Sequence, residues 1–450
     1  MKIKKFLNLN YSNYKKSNCH IFFPKNNQDI FKIIDFAKKH KKKILPIGSG
    51  LSWYDTIFNS NNIIIDLNNY KKKFIFDKDK GELLISSQFR IKDIIHKLNK
   101  YGWSLYSIPG GGEVTIGGCV GNDVHGKDSF KHGNFSQNII ELELVLPNKK
   151  IIKCSEKKNN KIFRSVCGGL GLIGIVTEVK FKLKPIAKFY HSVTIPCNNY
   201  KALIQNLYKD IDKYDYINGW VDIYGRNQNL GKSVIFKSKK IYKENLKSNN
   251  INTSNFFNVI QKYIFGLCVK NDLTKYINYF IFLLFKSKKE NINTYKDISF
   301  PLSSYGVDIK EIINPYSFFE VQVLIKKENI KKDLKNFILY CQKLNLLGFV
   351  IGIKMHKKNN NYISFSDDGI SMNINQIFNA GTDYSNELNK IRKLHDYVIK
   401  KNHKIYICKD VLLDKIKIKK NYQKYKNFLD VKKKYDKDNL LFSDFLKRVS

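Results

Sequence analysis

Residues 107–135 read Ser107-Ile-Pro-Gly-Gly-Gly-Glu-Val-Thr-Ile-Gly-Gly-Cys-Val-Gly-Asn-Asp-Val-His-Gly-Lys-Asp-Ser-Phe-Lys-His-Gly-Asn-Phe135. Eight of the 25 glycines in the chain fall within these 29 residues, together with His125 and His132. Glycine loses more backbone entropy on folding than any other residue, so a cluster this dense marks backbone lying against something that leaves no room for side chains. Val114, Ile116, Val120 and Val124 are interleaved at spacings of two to four, a pattern foreign to solvated linkers.

Two further glycine turns belong with it, Gly48-Ser-Gly-Leu-Ser52 and Gly168-Gly-Leu-Gly-Leu-Ile-Gly174. Stacked backbone N–H groups in such turns form a concavity suited to a pyrophosphate. None has the Walker spacing. Gly169-Leu-Gly-Leu-Ile-Gly174 approaches the dinucleotide fingerprint, but the residues after it, Ile-Val-Thr-Glu-Val-Lys-Phe, read as a strand where that motif needs a helix.

Outward from these turns the chain has an α+β rhythm. The spacing predicts a helix over 27–43, capped by Asn27 or Asp29, strands at 44–47, 63–67 and 83–86, and a helix over 91–100. Strands follow at 139–146 and 150–154 around a turn at Asn148, then at 173–183, closed by Pro185. Residues 1–187 are read as the first domain. Residues 188–403 differ in texture, with few glycines, strands at 321–325 and 349–354, helices near 200–212, 329–345 and 384–401, and a polar loop over 237–254. Residues 404–450 are short and mixed, a segment expected to dock back on the first domain.

The 450 residues carry a formal charge of +41, yet only five of the 80 basic residues are Arg. Lysine is spread over the whole length, whereas a nucleic-acid reader concentrates its cations and uses Arg for base edges and phosphates. Nucleic acid is therefore excluded, while attraction to an anionic membrane surface needs no motif and stays compatible. The eight cysteines are scattered without C-x-x-C, which argues against a disulfide framework and for a reducing compartment. Met355-His356 and Asp367-Asp368 lack ligand spacing, so no metal is expected. No leader is visible, because Met1-Lys-Ile-Lys-Lys-Phe runs into polar residues. The apolar stretch 256–285 contains a longest run of ten residues, Tyr276–Phe285, against the ~20 a spanning helix needs. It is read as a buried helix or a surface touching lipid.

Pro46-Ile-Gly-Ser-Gly-Leu-Ser, Pro109-Gly-Gly-Gly-Glu-Val-Thr-Ile-Gly-Gly, Asn122-Asp-Val-His-Gly-Lys, Gly168-Gly-Leu-Gly-Leu-Ile-Gly-Ile-Val-Thr and the tail from Tyr435-Asp to Leu441-Phe-Ser-Asp resemble the vanillyl-alcohol-oxidase, or PCMH-type, FAD flavoproteins. Within them, His125-Gly-Lys127 and Tyr406-Ile-Cys-Lys409-Asp are most similar to the decaprenylphosphoryl-β-D-ribose 2-oxidase group. The resemblance implies a two-subdomain FAD-binding domain, a cap domain with an antiparallel sheet, and a C-terminal segment returning to the cofactor. It implies a pyrophosphate turn at Ile47, Gly48, Ser49, Gly50, Leu51, Ser52 and Trp53. Gly110, Thr115, Ile116, Gly117 and Gly118 would line the cofactor. Asn122, Asp123, Val124 and His125 would run beside its ring, with Ile175 and Tyr406 also in contact. Lys127 and Lys409 become the candidate catalytic residues, and Trp220, Glu320 and Gln322 the substrate wall. Lysine suits either of two tasks, taking a hydroxyl proton once desolvated or holding an anionic phosphate, and the sequence does not separate them.

The implied activity is oxidation of a secondary hydroxyl of a sugar, lipid-linked through a polyprenyl phosphate, as the first half of an epimerisation in cell-envelope glycan synthesis. An NAD(P)H-dependent short-chain reductase would complete it, with a quinone or O₂ as electron acceptor and a cytoplasmic, peripheral membrane location. The alternatives are a soluble aldonolactone or alditol oxidase, or a flavin-free binding protein. Two departures stand out. Leu51 occupies the place where many aldonolactone oxidases carry a His bonded to FAD, so non-covalent FAD is expected. Glu320 stands where the ribose-oxidase group has Gln, which puts the same sugar in question.

Overall fold

The computed structural model of the protein describes residues 3–9, 16–242, 271–300, 316–348, 351–379, 381 and 383–450. Three sheets carry the architecture. The first has the order Ile3–Leu9, Lys16–Phe22, Ile63–Asp66, Ile44–Ile47. The helix Asn27–Lys39 buries Ile30, Ile33, Ile34 and Ala37 in the core shared with this sheet. Its cap is Asn26, one residue before the expected position, whose side chain accepts from the Asp29 N–H. The second sheet has five strands, in the order Phe74–Asp77, Glu82–Ser86, Ile175–Lys182, Ile139–Val145, Ile151–Cys154.

The third sheet has eight antiparallel strands, in the order Lys289–Thr294, Phe189–Cys197, Ser233–Ile241, Tyr216–Val221, Ile351–His356, Gly369–Phe378, Ser317–Lys326, Lys404–Ile405. Directly opposed residues share a face, so its register sorts the side chains. One face carries the row Val323, Met372, Ile353, and joins the main core with the helices Tyr200–Tyr208, Ile330–Lys343 and Ser385–Lys400. The opposite face carries Glu320 beside Asn375, then Gln322 beside Asn373, then Ser371, Lys354 and Asn218 in one row. A sheet face this polar faces the first domain rather than a core.

The polar loop expected from Lys237 is corrected at its start. The strand Ser233–Ile241 continues through it, with Lys237 almost fully buried. Its ammonium donates to the Lys209 carbonyl at 2.6 Å and lies 5.0 Å from the Tyr214 ring centroid, which satisfies a cation that composition alone reads as solvated. The rest of that expected loop, from 243, and residues 256–270 of the apolar stretch lie outside the described residues.

After Ile405 the chain returns to the first domain. Ile44 N–H donates to Leu440 O at 2.8 Å and Phe442 N–H to Ile44 O at 2.9 Å, so Leu441 lies as a parallel bridge beside Ile44. Arg448 then ties three segments. It forks onto Asp55 at 2.7 and 3.0 Å and reaches Asp410 at 3.0 Å. Both carboxylates are buried, and Arg448 lies close enough to hold Asp410 below the usual carboxylate range despite its desolvation. Arg448→Met removes the cation and leaves two buried carboxylates facing each other's field. We expect a loss of about 3 kcal/mol or more in urea unfolding. An unchanged unfolding midpoint would show that the tail is held by its apolar contacts alone.

Candidate active site

A cleft with about 890 Å³ of empty space, open to solvent on one side, lies between the first two sheets. Its lining comes from the three glycine turns: Pro46–Ser52, Val114–Asn122 in part, and Leu170–Val176 in part. The sequence reason is steric. A Cβ on Gly48 would collide with Thr115 Oγ1, and Gly171, at φ +75°, sits where a side chain would strike Pro46. Gly50, at φ +67°, faces open space. The backbone N–H groups of Ser49–Ser52 have no hydrogen-bond partner among the described residues. Thr115 caps the short helix Ile116–Asn122 by accepting from Gly118 N–H at 3.2 Å.

Two lining residues were not legible as such in the sequence. Ser87 and Gln88 end a strand, and both are buried in the wall with Ser87 Oγ and Gln88 Oε1 lacking a partner. Buried polar atoms left unpaired are costly, so they mark a place built for a polar ligand. The only available signal was the polar run Ser86-Ser-Gln88 at the end of an apolar strand.

Of the residues expected at the cofactor, Ile47–Ser52, Thr115, Gly117, Gly118 and Asn122 line this cleft. Ile116 and Ile175 have their side chains in the core, and Val124 packs against it. Gly110 has open space around it. The Asp123 carboxylate turns away, toward Asn134, Ser136, Asn359 and Asn361. Trp53, His125 and Tyr406 stand one layer further on, toward the third sheet.

That layer is joined to the cleft through Asn122. Its side chain donates to Ser52 Oγ at 3.2 Å, and its carbonyl accepts from the Tyr406 hydroxyl at 2.8 Å. The Tyr406 N–H donates to Gln322 O at 2.9 Å. Gln322 Nε2 lies 3.1 Å from His125 Nε2 and donates to Ser371 Oγ at 3.0 Å. An amide NH₂ only donates, so His125 is neutral with its proton on Nδ1. Burial, with Lys354, His356 and Lys409 nearby, holds the His125 pKa well below the ordinary value, in agreement. The Nδ1 donor of His125 and the Oε1 acceptor of Gln322 are both buried without partners.

Three amines converge here. Lys409 is ion-paired to Glu320 and lies 5.9 Å from the Trp53 ring centroid. The Glu320 backbone is clamped by Tyr54, whose hydroxyl accepts its N–H at 2.5 Å. Lys127 donates to the Ile298 carbonyl. Burial and the neighbouring Lys354 push Lys127 down to about 7, against a partial restoring pull from Asp128. Lys354 falls to about 8 through burial and Lys409. Lys354 is the residue the sequence reading missed. Its signal was the alternation Gly352-x-Lys354-x-His356, polar at every second position of an otherwise apolar strand. His356 completes the group, accepting or donating at 2.7 Å with Ser371 and meeting His125 edge-on with centroids 4.6 Å apart. Trp220 lies on the same sheet face, but its ring packs in a small apolar cluster with Val234 and Phe282.

The turn holding these residues is fixed by Asp123, in the left-handed region at φ 42°. Its buried carboxylate accepts from Asn134 Nδ2, Ser136 N–H, Asn359 Nδ2 at 2.9 Å and Asn361 Nδ2 at 2.8 Å. It therefore shapes the wall instead of lining it.

Residues 20–155 match the model of the FAD binding domain family. This part of the chain is an FAD-binding domain, followed by a domain built on an antiparallel sheet. The chain is similar to bovine L-gulonolactone oxidase, 24% identical over 304 residues that cover 66% of this chain and 65% of that protein. It is similar to Arabidopsis thaliana cytokinin dehydrogenase 1, 32% identical over 162 residues covering 35% and 27%. Arabidopsis mitochondrial D-lactate dehydrogenase [cytochrome] is 24% identical over 184 residues covering 40% and 32%. In each case the match spans less than two thirds of the relative.

The cleft fits FAD on its own features: free N–H groups at Ser49–Ser52 for the pyrophosphate, glycines where a Cβ would intrude, and unpaired Ser87 and Gln88 for polar edges. Leu51 lines the cleft and offers no nucleophile to the flavin. Acid precipitation of the purified protein should release the flavin into the supernatant. Flavin retained in the pellet would reveal a covalent bond to another residue.

Proposed function

We propose that this chain is an FAD-dependent oxidoreductase that oxidises a ring hydroxyl of a sugar. The carrying observation is the cluster of Lys127, Lys354, Lys409, His125 and Gln322 next to the FAD cleft, with one donor and one acceptor unmet. Bound in the cleft, FAD supplies the acceptor for hydride, and its electrons pass on to a quinone or O₂.

The chain's own residues do the rest. Lys127, close to half deprotonated near neutral pH, takes the hydroxyl proton. Burial and Lys354 make that amine reluctant to hold a proton before substrate arrives, while Asp128 keeps it basic enough to accept one. Gln322 Oε1 and His125 Nδ1 orient the sugar through its hydroxyls, and Trp53 and Tyr406 exclude water from the junction. Lys409, balanced by Glu320, is a fixed cation at the rim.

The finer reading is a polyprenyl-phosphate-linked sugar, oxidised as the first half of an epimerisation that an NAD(P)H-dependent short-chain reductase completes. The excess of three amines over one carboxylate supports an anionic substrate. A second reading, an aldonolactone or alditol oxidase, draws on the names of the relatives and on Glu320, which neutralises the cation best placed for a phosphate.

Since the base form of Lys127 is required, flavin bleaching under anaerobic conditions should accelerate as pH rises through about 7. Lys127→Met should slow it and remove that rise; an unaltered profile would take Lys127 out of the proton transfer. A panel of lipid-linked sugars and free aldonolactones decides the substrate. Glu320→Gln should tighten binding of a phosphate-linked sugar on the order of tenfold, equivalent to ~1.4 kcal/mol, and leave lactones unaffected. Bleaching by lactones alone, insensitive to Glu320→Gln, would establish the second reading.

A further inference from the structure

The helix Asn271–Leu284 buries one face and exposes an apolar stripe on the other. Thr274, Asn278 and Phe282, four residues apart, are buried. Phe282 packs with Trp220 and Val234 on the third sheet, and Asn278 Nδ2 reaches Asp222 Oδ1 and Gly348 O, both at 3.4 Å. That face accounts for how the helix is held. The other stripe is exposed: Leu273 at 37%, Tyr276 at 66%, Phe280 at 61%, Leu283 at 39% and Leu284 at 53%, with Tyr279 at 54% on its edge. Part of the expectation of a buried helix is thereby corrected. A helix of this kind has no reason to keep such a stripe in water.

We infer that this exposed face of Asn271–Leu284 docks on an anionic lipid surface. Charge selects the occupant. From Asn271 to Lys289 the sequence has four lysines against one carboxylate, Asp272. Lys275 lies within the helix, and Lys286, Lys288 and Lys289 follow its C-terminal end, all exposed. Glu290, just beyond, is engaged by Lys288 at 3.1 Å and His191 at 2.9 Å. A second copy of a chain with a net charge of +41 would be repelled from this rim. Tyrosine, phenylalanine and leucine flanked by lysine match the boundary between headgroups and acyl chains, where rings sit at headgroup level and lysine stems reach the phosphates. Among the described residues no helix is long and apolar enough to cross a membrane, so the contact is along the surface.

The position gives the docking a purpose. The buried side of the helix covers Trp220, which lies on the same sheet face as Lys354 and Gln322. The membrane-facing stripe and the proposed substrate wall are thus on one side of the third sheet. The docking itself does not depend on which hydroxyl is oxidised, so either conclusion stands without the other.

Purified full-length protein should co-sediment with phosphatidylcholine vesicles containing phosphatidylglycerol, and weakly with phosphatidylcholine alone. Phe280→Ser/Leu284→Ser should weaken the binding at least about tenfold, as the loss of two buried side chains implies, with flavin content unchanged. Ile416→Ser, which removes an exposed apolar residue from the helix Lys415–Asn421, should have no effect. If the double variant loses its flavin, Tyr276→Ser alone should show the same direction. Equal binding by variant and wild type would mean that the chain's overall charge suffices, and would overturn the assignment. A concentration-dependent dimer in solution that the double variant abolishes would give this face to a second copy instead.

Discussion

The buried carboxylate of Asp123 is the constraint on which the site depends. It stands at the end of a seven-residue helix, in a left-handed conformation, with no cation beside it among its hydrogen-bond partners. Burial raises its pKa, and the donors from Asn134, Ser136, Asn359 and Asn361 oppose that rise. Those donors come from the first domain on one side and from the loop before Gly369 on the other. One charge therefore fixes both the course of the chain from Asn122 to Lys127 and the position of the third sheet over it. Any alternative docking of the two domains would strip that carboxylate of the amides of Asn359 and Asn361, at a cost of about 1–3 kcal/mol for each bond lost.

With the domains so fixed, the third sheet works as a wall with two unlike sides. Its apolar side supplies the rigidity, through three long helices that bury Leu334, Phe337, Leu394 and Val398. Its polar side can then present amines and amides without a core to pack them. Clustering Lys127, Lys354 and Lys409 costs desolvation and repulsion, and such strain belongs at a site where a basic amine is needed near neutral pH.

Much of this was readable in the sequence because glycine and valine leave plain marks. The three glycine turns, the helices at 27–39 and 91–99 and the strands between them follow from spacing and steric need. The residues of the cleft at Ile47–Ser52, Thr115, Gly117 and Gly118 were legible for the same reason. What escaped is instructive. Lys354 was hidden because the alternation around it is a weak signal in a lysine-rich chain; the pairing of Lys354 with Ser371 and Asn218 places it in the site. Lys237 was misread as a solvated loop residue because its acceptor, the Lys209 carbonyl, is a contact made only by the folded sheet. Asp123 was read with its neighbours as a cofactor residue, and its hydrogen-bond partners, up to 238 residues away, carry no mark of that contact in the sequence.

The parallel bridge between Ile44 and Leu441 bears on how the protein is made. Strand Ile44–Ile47 leads straight into the first glycine turn, and its outer edge is closed by a segment made long after it, with Lys43 and Asp438 joined across 395 positions. Until that segment emerges from the ribosome, the first sheet keeps an open edge. Contacts of such long sequence separation form slowly. Closure of that edge is thereby deferred until Leu441 has been made, and shorter nascent fragments have a vulnerable strand for chaperones to shield.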